Sequence, residues 1–495
     1  MAKTLQDEYK TRLDKLKKLR QEGPNPYPDK FEKEKDIAEV LKMKLGTKGI
    51  KTAGRLLTIR EMGKICFCHV MDSSGRMQIV FKSDDVGKDK FKSFLKIFDP
   101  GDFIGVKGEL FKTQKGEVSI LVEEYVLLSK ALRPLPEKWH GLKDQELKYR
   151  QRYLDLISNP ETYQRFLFRS KLIKALREFY WSRGFVEIET PVLTNTASGA
   201  LAKPFVTHYN ALDIDVYLRI ALEIHQKEAI VGGFEKVFEI GRCFRNEGMD
   251  PSHLQDFTMC EHYAAYWDYK DNMKFTEEMF GYLLKELLGT TKVDIKDRSG
   301  KIVEVDFKPP WPRVTFGDLI KKDCGIDIDK FKTAADLKEE IKSKKIKIED
   351  VNINKLERGN LIDALYKVVS RDKIIQPTFL TQHPIDLSPL ARRNDKNPEI
   401  VDRFQLIVNT WEIINAYSEL VDPVDQERRF AEQARAKRHG DEDAHSKDDE
   451  YVKALEHGAP PMSGWGMGID RLATLLTQQD NLRDTVLFPL LKPEK

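Results

Sequence analysis

Four residues at a spacing of two carry the strongest chemical signal in this chain. Phe257, Met259, Glu261 and Tyr263 would share one face of a strand, because strand side chains alternate. The preceding run, residues 236–245, reads as the partner strand, with Arg245 on the same face as Glu239. A guanidinium, an aromatic ring, a carboxylate and a phenol together suit a charged aromatic ligand, such as a nucleotide plus an amino acid. The connection, residues 246–256, holds the turn formers Gly248, Asp250, Pro251 and Ser252. It is longer than common hairpin loops, and long loops are often functional. A solvated strand face would carry the same pattern.

A second cluster lies at residues 413–419, where Asn415, Tyr417 and Glu419 alternate. An amide, a phenol and a carboxylate among apolar neighbours fit a pocket wall, and a sheet face open to water reads the same way. A third cluster sets Gly464, Gly466 and Gly468 before Asp470 and Arg471. Alternating glycines let the backbone approach something closely. The spacing is not a dinucleotide fingerprint, and no βαβ repeat surrounds it. Arg471 opens a helix, where a cation gains nothing from the dipole, so a phosphate ligand explains it better than a cap. The sequence has no phosphate-loop, H-E-x-x-H or G-x-S-x-G motif. His225 and His253 stand isolated.

These clusters need elements to hold them. With 495 residues, 40% hydrophobic and 33% charged, the chain reads as globular and multidomain. A net charge of +3 means that any surface for a polyanion must be local. Five cysteines, with Cys66 and Cys68 as a C-x-C, do not make a zinc spacing. Reduced thiols, no secretory leader and no long apolar run predict a cytoplasmic protein without a membrane span.

Residues 1–50 read as a basic helical extension and linker stopped at Gly23-Pro24, either a solvated helix or a phosphate-contacting arm. Within 51–130, five strands (53–60, 65–72, 76–82, 103–111, 118–128) and a helix at 87–97 give the order of an OB-fold barrel. Such barrels often bind single-stranded nucleic acid. Phe67 and Gln78 fall on adjacent strands and Glu117 precedes the fifth, with a core role for Phe67 as the competing reading. Residues 131–160 form a connector. Residues 161–495 mix strands and helices without βαβ alternation, which predicts an α+β domain built on a mainly antiparallel sheet. Residues 185–190 read as a strand stopped by Pro191. A charged stretch at 290–375 reads as a helical insertion without chemistry.

The clusters also resemble a known family. Residues 185–191 (F-V-E-I-E-T-P), 244–257 (opening F-R-N-E-G) and 466–471 (G-M-G-I-D-R) are similar to motifs 1, 2 and 3 of class II aminoacyl-tRNA synthetases. Segments 132–136, 149–157, 383–392 and 417–420 resemble the lysyl-tRNA synthetases of the cytosolic eukaryotic type, and the likeness runs from about residue 50 to the C-terminus. An aspartyl or asparaginyl enzyme, or a non-catalytic nucleic-acid-binding scaffold, is the alternative. Carboxylates in the pocket favour a cationic substrate.

The resemblance implies a lysine–tRNA ligase that uses ATP and Mg²⁺, binds tRNA(Lys) and forms a homodimer. It implies that Arg245 meets the α-phosphate and the amino-acid carboxylate, and that Arg471 meets the γ-phosphate. Asn246, Glu247, His253, Phe257, Glu412, Ile413, Gly468, Ile469 and Asp470 would complete the ATP site, with Phe257 stacked on adenine. Gly199 and Glu223 would hold the α-amino group and Asn415 the carboxylate end. Glu261, Tyr263, Tyr417 and Glu419 would surround the side chain, with Glu419 on the ε-ammonium. Phe67, Gln78 and Glu117 would read anticodon bases. Glu412 and Glu419 would be metal ligands. Four positions depart from the family pattern: Gln405 stands where a metal-binding Glu is usual, Leu222 replaces a Pro, and Leu254-Gln255 replaces Asn-Pro.

Overall fold

The computed structural model describes residues 2–494 apart from 23–24, 137–141, 201, 249, 298–299, 349–351, 354–355, 389 and 439–447. The expected helix stop at Gly23-Pro24, part of the connector, and Pro389 of the lysine-like segment therefore lie outside the described residues. The chain forms two compact units, Met1–Asn159 and Pro160–Lys495.

The first unit is a closed barrel of β1 (Ile50–Met62), β2 (Ile65–Met71), β3 (Arg76–Lys82), β4 (Phe103–Lys112) and β5 (Val118–Ser129), in the order β1-β2-β3-β5-β4. Alternating apolar residues such as Leu56, Cys66, Cys68, Ile79 and Ile120 fill the interior. The helix Lys88–Ile97 packs Phe94 on Phe81 with ring centroids 4.0 Å apart. The helix Ala2–Glu22 is neither wholly solvated nor a free arm. Leu16 and Leu19 are buried, Arg12 Nη1 donates to the Pro100 carbonyl at 2.9 Å, and Lys15 pairs with Asp99 at 2.7 Å. The connector contributes short helices Gln145–Arg150 and Arg152–Ser158.

In the second unit, β6 (Val186–Glu187) precedes a small sheet of β7 (Leu193–Thr194), β8 (Val206–Tyr209) and β9 (Ile214–Leu218). There follow β10 (Lys236–Phe244), β11 (Asp256–Ala265), the hairpin β12 (Lys292–Lys296) and β13 (Ile302–Asp306), β14 (Arg313–Thr315), β15 (Thr378–Thr381), β16 (Arg403–Val408), β17 (Trp411–Ser418) and β18 (Met462–Gly468). The main sheet runs β14-β15-β16-β17-β18-β11-β10-β6 and is antiparallel except for its two outer pairs, β14–β15 and β10–β6. Helices Pro160–Ser182 and Tyr269–Leu288 cover one face, where Tyr180 stacks on Phe238 at 4.4 Å and Trp465, Cys260 and Phe280 are buried. The opposite face is left for a cavity.

Two expectations need correction. The strand over 185–190 shrinks to two paired residues, because Thr190 instead turns its N–H and hydroxyl to Glu239. The charged stretch 290–375 is not simply helical. It holds the β12–β13 hairpin and the sheet-edge strand β14, and its helices bury their own apolar cluster around Leu337, Leu361 and Leu365.

Candidate active site

The uncovered face of β11, β17 and β18 floors a cavity of about 320 Å³, within the size range of small-ligand sites. From β11 come Phe257, Met259, Glu261 and Tyr263, the four residues singled out by their spacing. From β17 come Glu412, Ile413, Asn415 and Tyr417. The loop after β10 adds Arg245, Glu247 and His253, the end of β18 and the helix Ile469–Leu476 after it add Gly468, Asp470 and Arg471, and Gly199 and Glu223 complete the lining.

The glycines of β18 explain how this face stays open. β18 lies between β11 and β17, so Gly464 and Gly466 sit under the side chains of both neighbours. A Cβ on Gly464 would collide with Glu419 Oε1 and the Tyr263 ring, and one on Gly466 would reach contact with Glu261 and Met259 at 3.4 Å. Gly199 has φ +88°, a conformation that favours glycine, and the space is tight as well, with Ala221 and Glu223 3.2 Å from where a Cβ would be.

One end of the cavity is cationic. The Arg245 guanidinium lies over the Phe257 ring at 5.0 Å. Arg471 Nη1 donates to the Glu412 carbonyl at 3.0 Å. Burial and then the neighbouring cations Arg371 and Arg245 pull the Arg471 pKa down, against Glu412 and Asp250. Cations that repel one another across a cavity are stabilised by an anion placed between them. His253 Nδ1 is 2.7 Å from Asp250 Oδ2 on the exposed loop.

The other end is rich in carboxylates. The Tyr417 hydroxyl is 3.0 Å from both oxygens of Glu223. Burial, followed by the charge of Glu223, pushes the Glu261 carboxyl up to about 8. Behind the wall, Lys227 is fully buried and pairs with both Glu223 and Glu419. Burial opposes its charge, but Glu223 and Glu419 overcome that and hold its pKa well above the ordinary lysine value. The hairpin is braced from below, where Arg219 Nη1 bonds Glu239 at 2.7 Å, so Glu239 is a support and not a ligand group.

Several expected site residues sit differently. Glu419 follows the last residue of β17, leaves the strand face, and is buried with Oε1 filling the space beside Gly464. Ile469 is part of the main core, so only its backbone could meet a ligand. Asp470 is committed to structure, accepting from Arg169 Nη2 at 2.5 Å and from the Thr258 N–H at 2.7 Å. Asn246 is exposed outside the cavity. Sequence reasoning missed Arg403, which lines the cavity and donates to Asn415 Oδ1 at 2.8 Å and to Ser388 Oγ at 2.7 Å. Its two-residue spacing from Gln405 was the available signal.

The metal expectation meets poor donors. Gln405 Oε1 is 3.1 Å from His383 Nε2, Glu419 is taken by Lys227, and only Glu412 faces the cavity. Among the described residues no group of three or more His, Cys, Asp or Glu side chains could hold a metal ion. These residues do not fit a protein-built metal centre.

In the barrel, Gln78 Nε2 donates to Glu117 Oε2 at 2.9 Å and His69 Nε2 lies 3.2 Å from Glu117 Oε1. Phe67 is half-buried on the same face of β2 as His69, outside the filled interior.

Residues 144–492 match the family described as tRNA synthetases class II (D, K and N), and residues 50–128 match the OB-fold nucleic acid binding domain of the anticodon type. A lysine–tRNA ligase of Thermosipho africanus is 46% identical over 97% of this chain and 95% of its own. One of Aquifex aeolicus is 49% identical over 90% of this chain and 73% of its own. One of Thermotoga maritima is 46% identical over 98% of this chain and 96% of its own. All three are bacterial, so they lend nothing to a specifically eukaryotic type. A sheet with motif-bearing strands around one cavity, a five-stranded barrel, and similarity along nearly the whole chain converge: the chain belongs to the class II tRNA synthetases (D, K and N).

Proposed function

We infer that this chain is a lysine–tRNA ligase. The observation that carries the reading is the polarity of one cavity, with Arg245 and Arg471 at one end and Glu223, Glu261 and buried Glu419 at the other. ATP and lysine have complementary polarity. The lysine carboxylate oxygen attacks the α-phosphorus, the bond from that phosphorus to the bridging oxygen of the β-phosphate breaks, and pyrophosphate leaves. A terminal ribose hydroxyl of the tRNA then attacks the lysyl carbonyl carbon, and AMP leaves.

No general base is needed for the first step, since the nucleophile is already an anion. The work is alignment and charge stabilisation. Arg245 is suited to bridge the reacting carboxylate and the α-phosphate, and Arg471 to hold the far phosphate. Glu247, His253 and Phe257 border the nucleotide end. Glu223 with Gly199 would take the α-amino group, Asn415 the carboxylate end, and Tyr263, Tyr417, Glu261 and Glu419 the side chain, with Glu419 on its ε-ammonium. Magnesium belongs in this reading to the nucleotide substrate.

The barrel would read the anticodon through Phe67, Gln78 and Glu117. A homodimer is supported by the apolar side chains of Leu193, Val206, Leu212 and Ile214, all exposed around the small sheet. No helix among the described residues is long and apolar enough to cross a membrane, and a cytoplasmic location accords with the reading.

The test is ATP–pyrophosphate exchange against each standard amino acid. Exchange driven best by lysine is expected. Exchange driven best by aspartate or asparagine, or by no amino acid, would overturn the reading.

A further inference from the structure

Lys227 is a fully buried cation behind the carboxylate end, and its connections are unusual. It lies on the helix Glu223–Val231, its side chain is fully buried, and its ammonium contacts Glu223 from the same helix and Glu419 from beyond β17. The rings of Tyr263, Tyr417 and Tyr451 surround it at 5.6–5.8 Å. Glu223 and Glu419 are the two carboxylates that the proposed function gives to the two ammonium groups of lysine. One internal ammonium therefore ties together the acceptors for both ends of the substrate's cationic framework.

Glu419 supplies a second, independent observation. Its closest contact with Lys227 is an ion pair through Oε2, and neither of its buried oxygens has a hydrogen-bond partner among the described residues, Oε1 lying beside Gly464. A buried acceptor without a donor is costly, and the cost is relieved when a donor arrives. Gly464 lines the cavity, and its missing side chain is what leaves Oε1 its space. Oε1 thus lies next to cavity-lining Gly464, and Oε2 faces Lys227.

We propose that Lys227 is a positioning residue that sets side-chain length specificity, acting as a strut that fixes Glu419 relative to Glu223. It touches no substrate atom. Because both carboxylates are held by one short internal tether, an ammonium at the wrong distance from the α-amino group meets at most one of them. Lysine would satisfy both, and ornithine, one methylene shorter, would not.

The proposal rests on the lysine-activating reading, so the wild-type protein is the first control. A wild-type protein without lysine-dependent exchange overturns that reading and this proposal with it. Given wild-type exchange, the test compares Lys227→Met with wild type, measuring KM for lysine, KM for ATP, kcat, and the ratio of kcat/KM for lysine over ornithine. The expected result is a rise in lysine KM of about tenfold or more, an ATP KM within about twofold, and a fall of about tenfold in the lysine-over-ornithine ratio. Unchanged lysine KM and unchanged discrimination would overturn the proposal, as would an equal loss at the lysine and ATP ends. Removing one partner of a buried pair can unfold a protein. The double variant Lys227→Met with Glu419→Gln removes the more deeply buried of the two stranded charges, leaving Glu223 with the Tyr417 hydroxyl, and, if the single variant does not fold, is judged by the discrimination ratio. A ratio equal to that of Glu419→Gln alone, with Lys227 silent once Glu419 is gone, supports the strut, and a further fall, from an effect that does not pass through Glu419, overturns it.

Discussion

Glu261→Gln should make the empty protein more stable and the enzyme less active, with a stability gain that depends on pH in a defined sense. Glu261 lies on β11, is 5% exposed and faces Glu223. Burial and Glu223 raise its pKa from 4.5 to about 8, against the Leu222 N–H that bonds it and the charge of Arg245. Below pH 4.5 the folded and unfolded chains both hold the proton. Between 4.5 and 8 only the folded chain keeps it, so each unit of rising pH costs roughly 1.4 kcal/mol of stability. Above 8 both states are ionised and the cost levels off. At pH 7 the accumulated cost is about 3 kcal/mol by this linkage. Glutamine keeps an oxygen to accept from Leu222 and has no proton to lose. For a unit of roughly 340 residues, about 3 kcal/mol corresponds to ~4 °C in unfolding midpoint. The assay is thermal unfolding of both proteins from pH 5 to 8, with the midpoint difference widening as pH rises. Parallel curves would refute the reasoning. Calorimetry gives an independent check: at pH 7, lysine binding should release about one proton from the wild-type protein, because an ammonium beside Glu261 lowers its pKa. Zero release would mean that Glu261 does not meet the substrate's charge.

Three further outcomes are expected. Arg471→Ala should lower pyrophosphate exchange by about 10²–10³-fold while calorimetric lysine affinity changes by less than about twofold, because the lost charge acts at the phosphate end; equal losses in both would contradict the polarity of the cavity. Gln405→Glu adds a carboxylate on β16, beside the β17 strand that carries Glu412, and should reduce the Mg²⁺ needed for half-maximal exchange; superimposable Mg²⁺ curves would remove any metal role for this position. Glu117→Ala should raise the tRNA KM by about tenfold, with the tRNA-independent exchange rate as control; an unaltered tRNA KM would take Glu117 out of anticodon recognition.

What could be read from sequence here follows from how locally each feature is determined. The β11 face was legible because strand period alone orders Phe257, Met259, Glu261 and Tyr263, and all four reach the cavity. The same rule misplaced Glu419. Period 2 holds only while the strand lasts, and β17 stops at Ser418, so the next carboxylate turns into the interior. The β12–β13 hairpin was hidden by charge: Val293 and Ile295 alternate correctly, but flanking lysines and aspartates match an exposed helix equally well. Lys227 shows a harder limit. Glu223 and Lys227 stand four apart on one helix, the spacing of an ordinary surface pair worth a few tenths of a kcal/mol. Only the approach of Glu419, nearly two hundred residues later, together with the tyrosines of β11 and β17, turns that commonplace spacing into a buried three-charge unit. Motifs name the groups that meet the substrate. The groups that aim them are fixed by long-range packing and carry no local mark, so positioning residues in this cavity have to be found from its geometry.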